Sequence, residues 1–230
     1  MMSAMTRHLL ATASLAIALF AAAPSAQKAS DEAKRVAEAT EIFREIMGTE
    51  DKAIPKGIIG KAQAIAVFPG TKKGAFGVGG QRGRGIISLR TSSGWSSPAF
   101  LTLTGVSFGL QIGGQETDLI LVVNNKRGVE TLMRNQFKLG ADASVAAGPV
   151  GRDAQAATDL QMRAEILSYS RARGVFAGVS INGSTVRQDV DAHERFYGKR
   201  LESKQILFEG KAGAPGPVPA WQAILQKFGA

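Results

Sequence analysis

Cysteine is absent from this 230-residue chain, which excludes a disulfide framework, thiol catalysis, a thiolate metal site and a cysteine-linked lipid anchor. Histidine occurs only as His8 and His193, so the usual pairs of a nucleophile and a basic side chain are nearly excluded. The glycine-rich segment 74–85 is not followed by Gly-Lys-Ser or Gly-Lys-Thr, which a phosphate-binding loop would require. The sequence therefore predicts a protein that is not an enzyme and that needs no cofactor or metal.

Long apolar runs are also scarce, and the one at the N-terminus has the features of a secretory signal peptide. Arg7 precedes an apolar run from Leu9 to Ala23, which is too short to span a bilayer comfortably. Small residues follow at the expected cleavage positions. We therefore expect residues 1–26 to be a signal peptide and residues 27–230 to be one exported domain of the periplasm or cell envelope, peripheral to the membrane. A retained N-terminal anchor is the alternative.

Acidic residues are missing from a long basic stretch in the middle of the chain. Between Lys56 and Arg90 there are seven basic residues and no acidic ones. Such a segregated positive charge favours an anionic partner, which is a membrane surface, an acidic protein or a nucleic acid. Nucleic acid is the least favoured, because aromatic residues do not alternate with the basic ones. The candidate binding residues are Lys72, Lys73, Arg82, Arg84, Lys126, Arg127 and Lys138.

Apolar residues alternate with polar or small ones through the middle of the chain, which predicts short strands. The predicted strands are 64–68, which ends at Pro69-Gly70, a hairpin over 75–90 with its turn at 79–85, a strand over 99–112, a central strand over 119–123, a strand over 137–148, and a hairpin over 165–182. The apolar parity flips after Leu103, so Gly105 is expected to be a bulge or a sharp bend.

Helical spacing of apolar residues appears towards both ends of the chain, over 31–47, 54–63, 189–197 and 219–228. Together with the glycine-rich strands, this predicts an α+β fold in which a strongly bent antiparallel sheet, or a barrel-like core, has helices at both ends. Asp189, Asp191, His193 and Glu194 form a small cluster near one helix start. A solvated helix start is favoured over a metal site there, because residues two apart on a helix point away from each other.

Several long motifs, spread over about residues 30 to 210, resemble the SYLF lipid-binding domain family, which is related to the yeast actin-patch regulators. The motifs that carry the resemblance are Ile54-Pro55, Ala64–Pro69, Gly74–Gly85, Trp95–Phe100, Ser107–Gln115 and Phe137–Arg152. The resemblance implies a binding module with no catalytic residues. Eukaryotic members of the family bind phosphoinositide membranes, and the yeast members also bind actin.

The sequence and the resemblance together lead us to expect a non-catalytic module that binds anionic, phosphoinositide-like lipid headgroups at a membrane surface. The basic residues named above would supply the positive charge. A protein-interaction module for an acidic partner in the cell envelope is the main alternative. An enzyme of unknown type is the less favoured one.

Overall fold

The computed structural model of the protein describes residues 23–49, 53–76, 78–107, 113–132, 134–151, 163–172 and 174–229. The helices within these ranges are α1 (Ala23–Met47), α2 (Lys56–Ile59), α3 (Lys126–Leu132), α4 (Val190–Tyr197), α5 (Ser203–Leu207) and α6 (Val218–Gly229). Among these described helices, none combines the length and the apolar character needed to cross a bilayer.

The strands are β1 (Ala64–Phe76), β2 (Val78–Thr91), β3 (Gly94–Trp95), β4 (Ala99–Ser107), β5 (Gly113–Val123), β6 (Gln136–Lys138), β7 (Val145–Ala147), β8 (Ile166–Ala172), β9 (Val175–Gly178) and β10 (Thr185–Gln188). They form one sheet in the order β6-β10-β4-β2-β1-β5-β8-β7, with β3 beside β2 and β9 beside β8. Every pairing is antiparallel except that of β7 with β8. The main path of eight strands curls into a half-barrel with helices at both ends, which confirms the predicted fold class.

Each face of the sheet is packed against its own apolar cluster. On the first face, which we call the helical face, Val67 and Ile86 pack with residues of α1 and α6, including Phe43 and Trp221. On the second face, Phe68 and its neighbours pack with residues of α5 and of the loops beside it. Both faces are therefore buried where the central strands carry apolar residues. The continuous apolar run Leu119–Val123 of β5 is a central strand that is covered on both faces, as predicted.

A single-residue bulge lies in β1 at Pro69-Gly70. Val67 pairs with Ile86 before it and Lys72 pairs with Arg82 after it, so β1 contains one residue more than β2 over this stretch. Gly70 has a φ of 54°, a left-handed conformation that suits glycine, and its N–H donates to Asp118 Oδ1 at 3.0 Å. Since side chains alternate along a strand, the extra residue exchanges the two faces for all that follows.

Two strand predictions were wrong in their boundaries, and the bulge predicted at Gly105 is not found. The strand that begins at Ala64 does not end at Pro69-Gly70 but continues through the bulge to Phe76. The segment 79–85 is not a hairpin turn, because it lies inside the long strand β2. Gly105 is not a bulge either, since β4 pairs with β2 in constant register over the whole of Ala99–Ser107; residues 108–112 lie outside the described part.

The prediction of one strand over 137–148 was also wrong. Only Gln136–Lys138 and Val145–Ala147 are strands there, and the residues between them form a tight turn. Asp142 N–H donates to the carbonyl of Lys138, and Gly140 N–H donates to that of Ala143. The alternation of apolar and small residues therefore reflects which turn residues face the core. The hairpin over 165–182 is confirmed as β8 and β9, and the helices over 189–197 and 219–228 are confirmed as α4 and α6.

Candidate functional site

Beyond the region that α1 and α6 cover, the helical face carries a row of polar and basic residues. The row crosses five strands. Lys72 on β1 pairs with Arg82 on β2, and Arg82 pairs with Thr104 on β4. Thr104 pairs with Thr185 on β10, which in turn pairs with Lys138 on β6. Residues directly opposite each other in a sheet project from the same face, so this row brings Lys72, Arg82 and Lys138 onto one surface.

A second row lies beside the first, two residues along each strand. Arg84 on β2 pairs with Thr102 on β4, and Thr102 pairs with Arg187 on β10. We call the cations of the two rows the basic face, which consists of Lys72, Arg82, Arg84, Lys138 and Arg187. At about 4.8 Å between strands, the basic face is about 19 Å wide from β1 to β6.

The basic face is open to solvent, although the same face of the sheet is covered by helices lower down. Ile86 on β2 is buried under those helices, whereas Arg84 and Arg82, further along on the same side, are exposed. All members of the basic face are exposed, and none of their side chains forms an ion pair or a hydrogen bond with another described residue. The cations are therefore free to bind an external anion.

The Arg-Gly-Arg-Gly pattern of β2 has a packing reason. Gly83 and Gly85 lie on the second face, where neighbouring side chains occupy the space that a Cβ atom would need. A Cβ atom at Gly83 would be 2.6 Å from Thr71 Oγ1, and one at Gly85 would be 2.5 Å from the Phe68 ring. The glycines let the second face pack closely, while the intervening arginines project from the helical face.

The bulge in β1 decides which of two adjacent lysines joins the basic face. Lys72 follows the bulge and lies opposite Arg82, whereas Lys73 pairs with Gln81 and belongs to the second face. Gln81 is buried there and donates to Ser184 Oγ at 2.8 Å. Of these two candidate binding residues only Lys72 therefore belongs to the basic face, because successive residues of a strand point to opposite faces.

Lys126 and Arg127 lie near the opposite end of the sheet. They begin α3, which follows the last residue of β5, while the basic face meets β5 at Glu116. The seven steps along β5 from Glu116 to Val123 span about 23 Å of strand. The Arg127 guanidinium is 3.0 Å from a carboxylate oxygen of Glu165. The structure therefore separates the candidates Lys126 and Arg127 from Lys138 and the basic face.

Arg187 was not among the predicted site residues. Its neighbour Val186 is fully buried and packs on the second face, so Arg187 must project from the helical face. The alternation of Thr185, Val186 and Arg187 was the available signal. The position of Arg187 near Lys138 depends on the pairing of β10 with β4 and β6, which are distant in the sequence, and a short pattern does not reveal such pairing.

Beyond Lys72 the charge of the helical face changes sign. A cleft of about 590 Å³ lies between α1 and strands β1 and β5, and its acidic lining residues are Glu38, Glu41, Glu45, Glu116 and Asp118. Arg171 pairs with Asp118 at 2.8 Å and also with Glu45, which ties α1 to β5 and β8. The basic face is therefore bounded on this side by carboxylates, which limits where an anion can bind.

The cluster around His193 has a structural role at the start of α4, as predicted. His193 itself is buried, although a solvated helix start was expected. Asp189 caps α4, accepting a hydrogen bond from the N–H of Ala192, which confirms the predicted role of an acid at the helix start. His193 is fully buried: its Nε2 accepts from the N–H of Phe100 at 2.8 Å, and its Nδ1 donates to the carbonyl of Leu201 at 2.7 Å. Both ring nitrogens are thus used in holding α4 against β4.

The folded protein is expected to lose stability as the pH falls below about 6.5, the ordinary pKa of histidine. Burial lowers the pKa of His193, against weaker opposing effects of its hydrogen bond to Leu201 and of Asp189. The unfolded chain therefore takes up a proton that the folded chain refuses, which costs at most about 1.4 kcal/mol per pH unit. Thermal unfolding across pH 5 to 8 measures the loss of stability. His193→Gln should be less stable at pH 7, but its stability should change less with pH. Equal slopes in the two proteins would contradict the assignment.

One Gly-x-Ser-x-Gly spacing does occur, at Gly105–Gly109. A nucleophile elbow places its serine on a sharp turn from a strand into a helix. Here Ser107 is still paired with Gly79 at the end of β4, and the next strand begins at Gly113. Ser107 thus belongs to a strand, and the next described element is again a strand, so the spacing lacks the strand-to-helix context of a nucleophile elbow.

Taken together, the fold and the basic face define an α+β half-barrel module with an exposed cationic surface. Residues 104–228 match the family model Ysc84, described as "Las17-binding protein actin regulator". The chain belongs to this Ysc84 (SYLF) family, as its motifs predicted.

The curated relatives align over nearly the whole chain. It is 32% identical over 209 residues to the human SH3 domain-containing YSC84-like protein 1, a match that covers 89% of this chain and 60% of the human protein. It is 31% identical over 210 residues to Protein YSC84 of Saccharomyces cerevisiae, covering 88% of this chain and 44% of the yeast protein. The chain thus spans between 44% and 60% of the length of these relatives.

Proposed function

We propose that this Ysc84-family domain is a non-catalytic module that binds anionic lipid headgroups through the basic face, at a membrane surface of the cell envelope after export. The observation that carries the proposal is the alignment of unpaired, exposed cations in two adjacent rows of one sheet face. The buried, fully hydrogen-bonded state of His193 supports a non-catalytic role, because it removes the mature chain's histidine from acid–base chemistry.

The magnitude of the expected attraction is sufficient for reversible docking. A basic residue near an anionic membrane contributes about 1 kcal/mol, so the basic face would contribute about 5 kcal/mol in total. Thr102, Thr104 and Thr185 alternate with the cations across the strands, and their hydroxyl groups can donate to phosphate oxygens. Lys126 and Arg127 lie too far away to touch the same patch of headgroups, but they would add to the general attraction.

An interaction module for an acidic protein is the second candidate. The family description names a protein-binding function, and the yeast and animal relatives carry the names of YSC84 and YSC84-like proteins. A basic surface of this size also suits an acidic protein partner. In this candidate the basic face would meet carboxylate groups of another protein instead of phosphate groups of a lipid.

Co-sedimentation with vesicles separates the two candidates. The mature chain is expected to pellet with vesicles of phosphatidylcholine containing phosphatidylglycerol and to stay in solution with phosphatidylcholine alone. Binding should weaken steeply between low and physiological salt, because the Debye length falls to about 8 Å and the cations are exposed. Absence of binding to both vesicles, together with binding to whole cell envelopes, would overturn the lipid proposal and favour the protein partner.

A further inference from the structure

The buried side of α1 is charged at the end that approaches the basic face. Glu32 and Arg35 are only 2% and 7% exposed, although the helix buries apolar residues elsewhere along the same side. Glu32 pairs with Arg195 of α4 at 2.7 Å. The Arg35 guanidinium lies 5.4 Å from the centre of the Phe100 ring on β4. A charged pair is thus enclosed between α1, α4 and the sheet.

This buried pair is incompletely satisfied. Arg35 Nη1 and Glu32 Oε2 have no hydrogen-bond partner among the described residues, and Arg35 Nη2 is as far as 3.9 Å from Glu32 Oε1. An unpaired charged donor away from water is costly, and buried donors in native proteins usually have a partner. Arg35 Nη1 is therefore a charged donor that a further acceptor would satisfy.

Arg35 is a neighbour of the basic face. Phe100, which lies beneath its guanidinium, is two residues before Thr102 on the same face of β4, and Thr102 pairs with Arg84. Phe100 and Arg84 are thus diagonal neighbours in the sheet, with backbones about 7 to 8 Å apart. The guanidinium of Arg35 extends the second row of the basic face inward, beneath α1.

The charges nearest to Arg35 are of both signs. Burial lowers the pKa of its guanidinium, and the carboxylates of Glu32 and Asp189 oppose this, while the positive charges of Arg84 and Arg195 add weaker lowering effects. Glu32 is itself paired with Arg195, and Arg187 adds one more positive charge on the second row.

We propose that Arg35, Arg84 and Thr102 form a subsite for a terminal phosphate group, at the edge of the basic face where α1 meets the sheet. A guanidinium donates two parallel hydrogen bonds to phosphate oxygens, and a threonine hydroxyl supplies a third donor. The inference deepens the proposed function, since it takes the phosphate from a lipid headgroup, but the subsite itself requires only the phosphate.

The burial of Arg35 sets the specificity, because only a small part of its side chain, 7% of the residue, can be approached. A phosphomonoester ends in three free oxygens and can approach end-on, whereas a phosphodiester is flanked by substituents on both sides and reaches only exposed cations. The monoester also carries more negative charge at neutral pH. The basic face alone should attract any anionic lipid, and the subsite should add a preference for lipids that end in a phosphate, such as phosphatidic acid.

The test compares vesicles of phosphatidylcholine mixed with phosphatidic acid or with phosphatidylglycerol, adjusted to equal surface charge. The wild-type chain is expected to bind the phosphatidic acid vesicles about tenfold more tightly, the gain from one additional charge-assisted contact. Arg35→Gln should abolish the preference and leave binding to phosphatidylglycerol unchanged. Arg35→Lys should also lose most of it, because lysine lacks the planar fork of donors.

Thr102→Val supports the test if the Arg35 variants do not fold, which thermal unfolding shows beforehand. It removes one proposed donor at a half-buried strand position and should reduce the preference by a few-fold. Arg127→Gln is the matched control, since Arg127 is exposed at the far end of the sheet, and should keep the full preference. A preference that survives in both the Arg35→Lys and the Thr102→Val proteins would overturn the subsite.

Inorganic phosphate distinguishes the source of the group. Phosphate should raise the melting temperature of the wild type more than chloride at equal ionic strength, and Arg35→Lys should remove the difference. If phosphate stabilises the protein in this way but no vesicle binds, the subsite holds and the lipid source is wrong. Equal binding of the two lipids by the wild type, without stabilisation by phosphate, would overturn the subsite and leave the proposed lipid binding intact.

Discussion

Neutralising the whole basic face by five substitutions to glutamine is expected to weaken binding to anionic vesicles by a factor of a thousand or more. Five cations at about 1 kcal/mol each account for a change of this size. The domain should remain folded, because these side chains are exposed and form no ion pair with the described residues. Co-sedimentation with phosphatidylglycerol vesicles measures binding, and thermal unfolding measures stability.

A control with the same change in net charge is available elsewhere on the surface. Its substitutions to glutamine are at Lys56, Lys61, Lys126, Arg127 and Lys227, which are all exposed. This control includes both of the predicted candidates that the structure places away from the basic face. It is expected to weaken binding several-fold at most, through the lower overall charge. If it weakened binding as much as the first variant, net charge and not the basic face would be responsible.

Replacing Arg90 by alanine is expected to destabilise the fold by about 3 kcal/mol or more. Its guanidinium donates to the carbonyls of Ile59, Ala62 and Gly229 at 2.6 to 2.9 Å, and it lies 4.6 Å from the centre of the Trp95 ring. Each hydrogen bond from a charged group contributes about 1.5 to 3 kcal/mol, and its loss leaves a carbonyl without its partner. Arg90 therefore connects the ends of α2 and α6 to the sheet.

Thermal unfolding tests this role, with an expected decrease of the melting temperature by about 6 to 12 °C for a domain of this size. Arg90→Lys should lose most of the stability as well, since one ammonium group cannot reach three carbonyls in separate segments. Arg82→Ala, an exposed position on the same strand, is the control and should change the free energy of unfolding by about 0.5 kcal/mol or less. Unfolding of the Arg90→Ala protein at the wild-type temperature would contradict the assigned role.

The sequence was sufficient for the fold class and for the elements with strong local signals. Leu119–Val123 is uniformly apolar because both sides of β5 are covered, and α4 begins at a capping Asp189. The bulge at Pro69-Gly70 was not recognised, because proline and glycine are more often found where a strand ends. The apparent parity change at Gly105 is not a register shift, because the pairing of β4 with β2 is continuous there.

The sequence predicted that the candidate site is cationic, but it predicted less well which residues form it. Arg82 and Arg84 are separated by one residue, so a strand was bound to place them on one side. Lys72 and Lys73 are adjacent, and the same rule separates them. Glu32 lies four residues before Val36, on the buried stripe of α1, so its burial was also legible in the spacing. That Lys138 and Arg187 join Arg82 depends on pairings between distant segments, which a single sequence does not specify.

The extra residue at Pro69-Gly70 exchanges the sheet faces on which the odd- and even-numbered side chains of β1 lie. Before it, odd-numbered side chains such as Val67 lie on the helical face, and after it the even-numbered Lys72 does. From Val67 to Lys72 there are five steps along β1, against four from Ile86 to Arg82 along β2. The same sequence paired without the bulge would turn Lys72 towards the second face. Removing one residue at Pro69-Gly70 would instead equalise the two strands, and Lys72 would stay opposite Arg82 in a regular ladder. The bulge therefore absorbs the surplus residue, and the place of Lys72 in the basic face does not require that residue to be present.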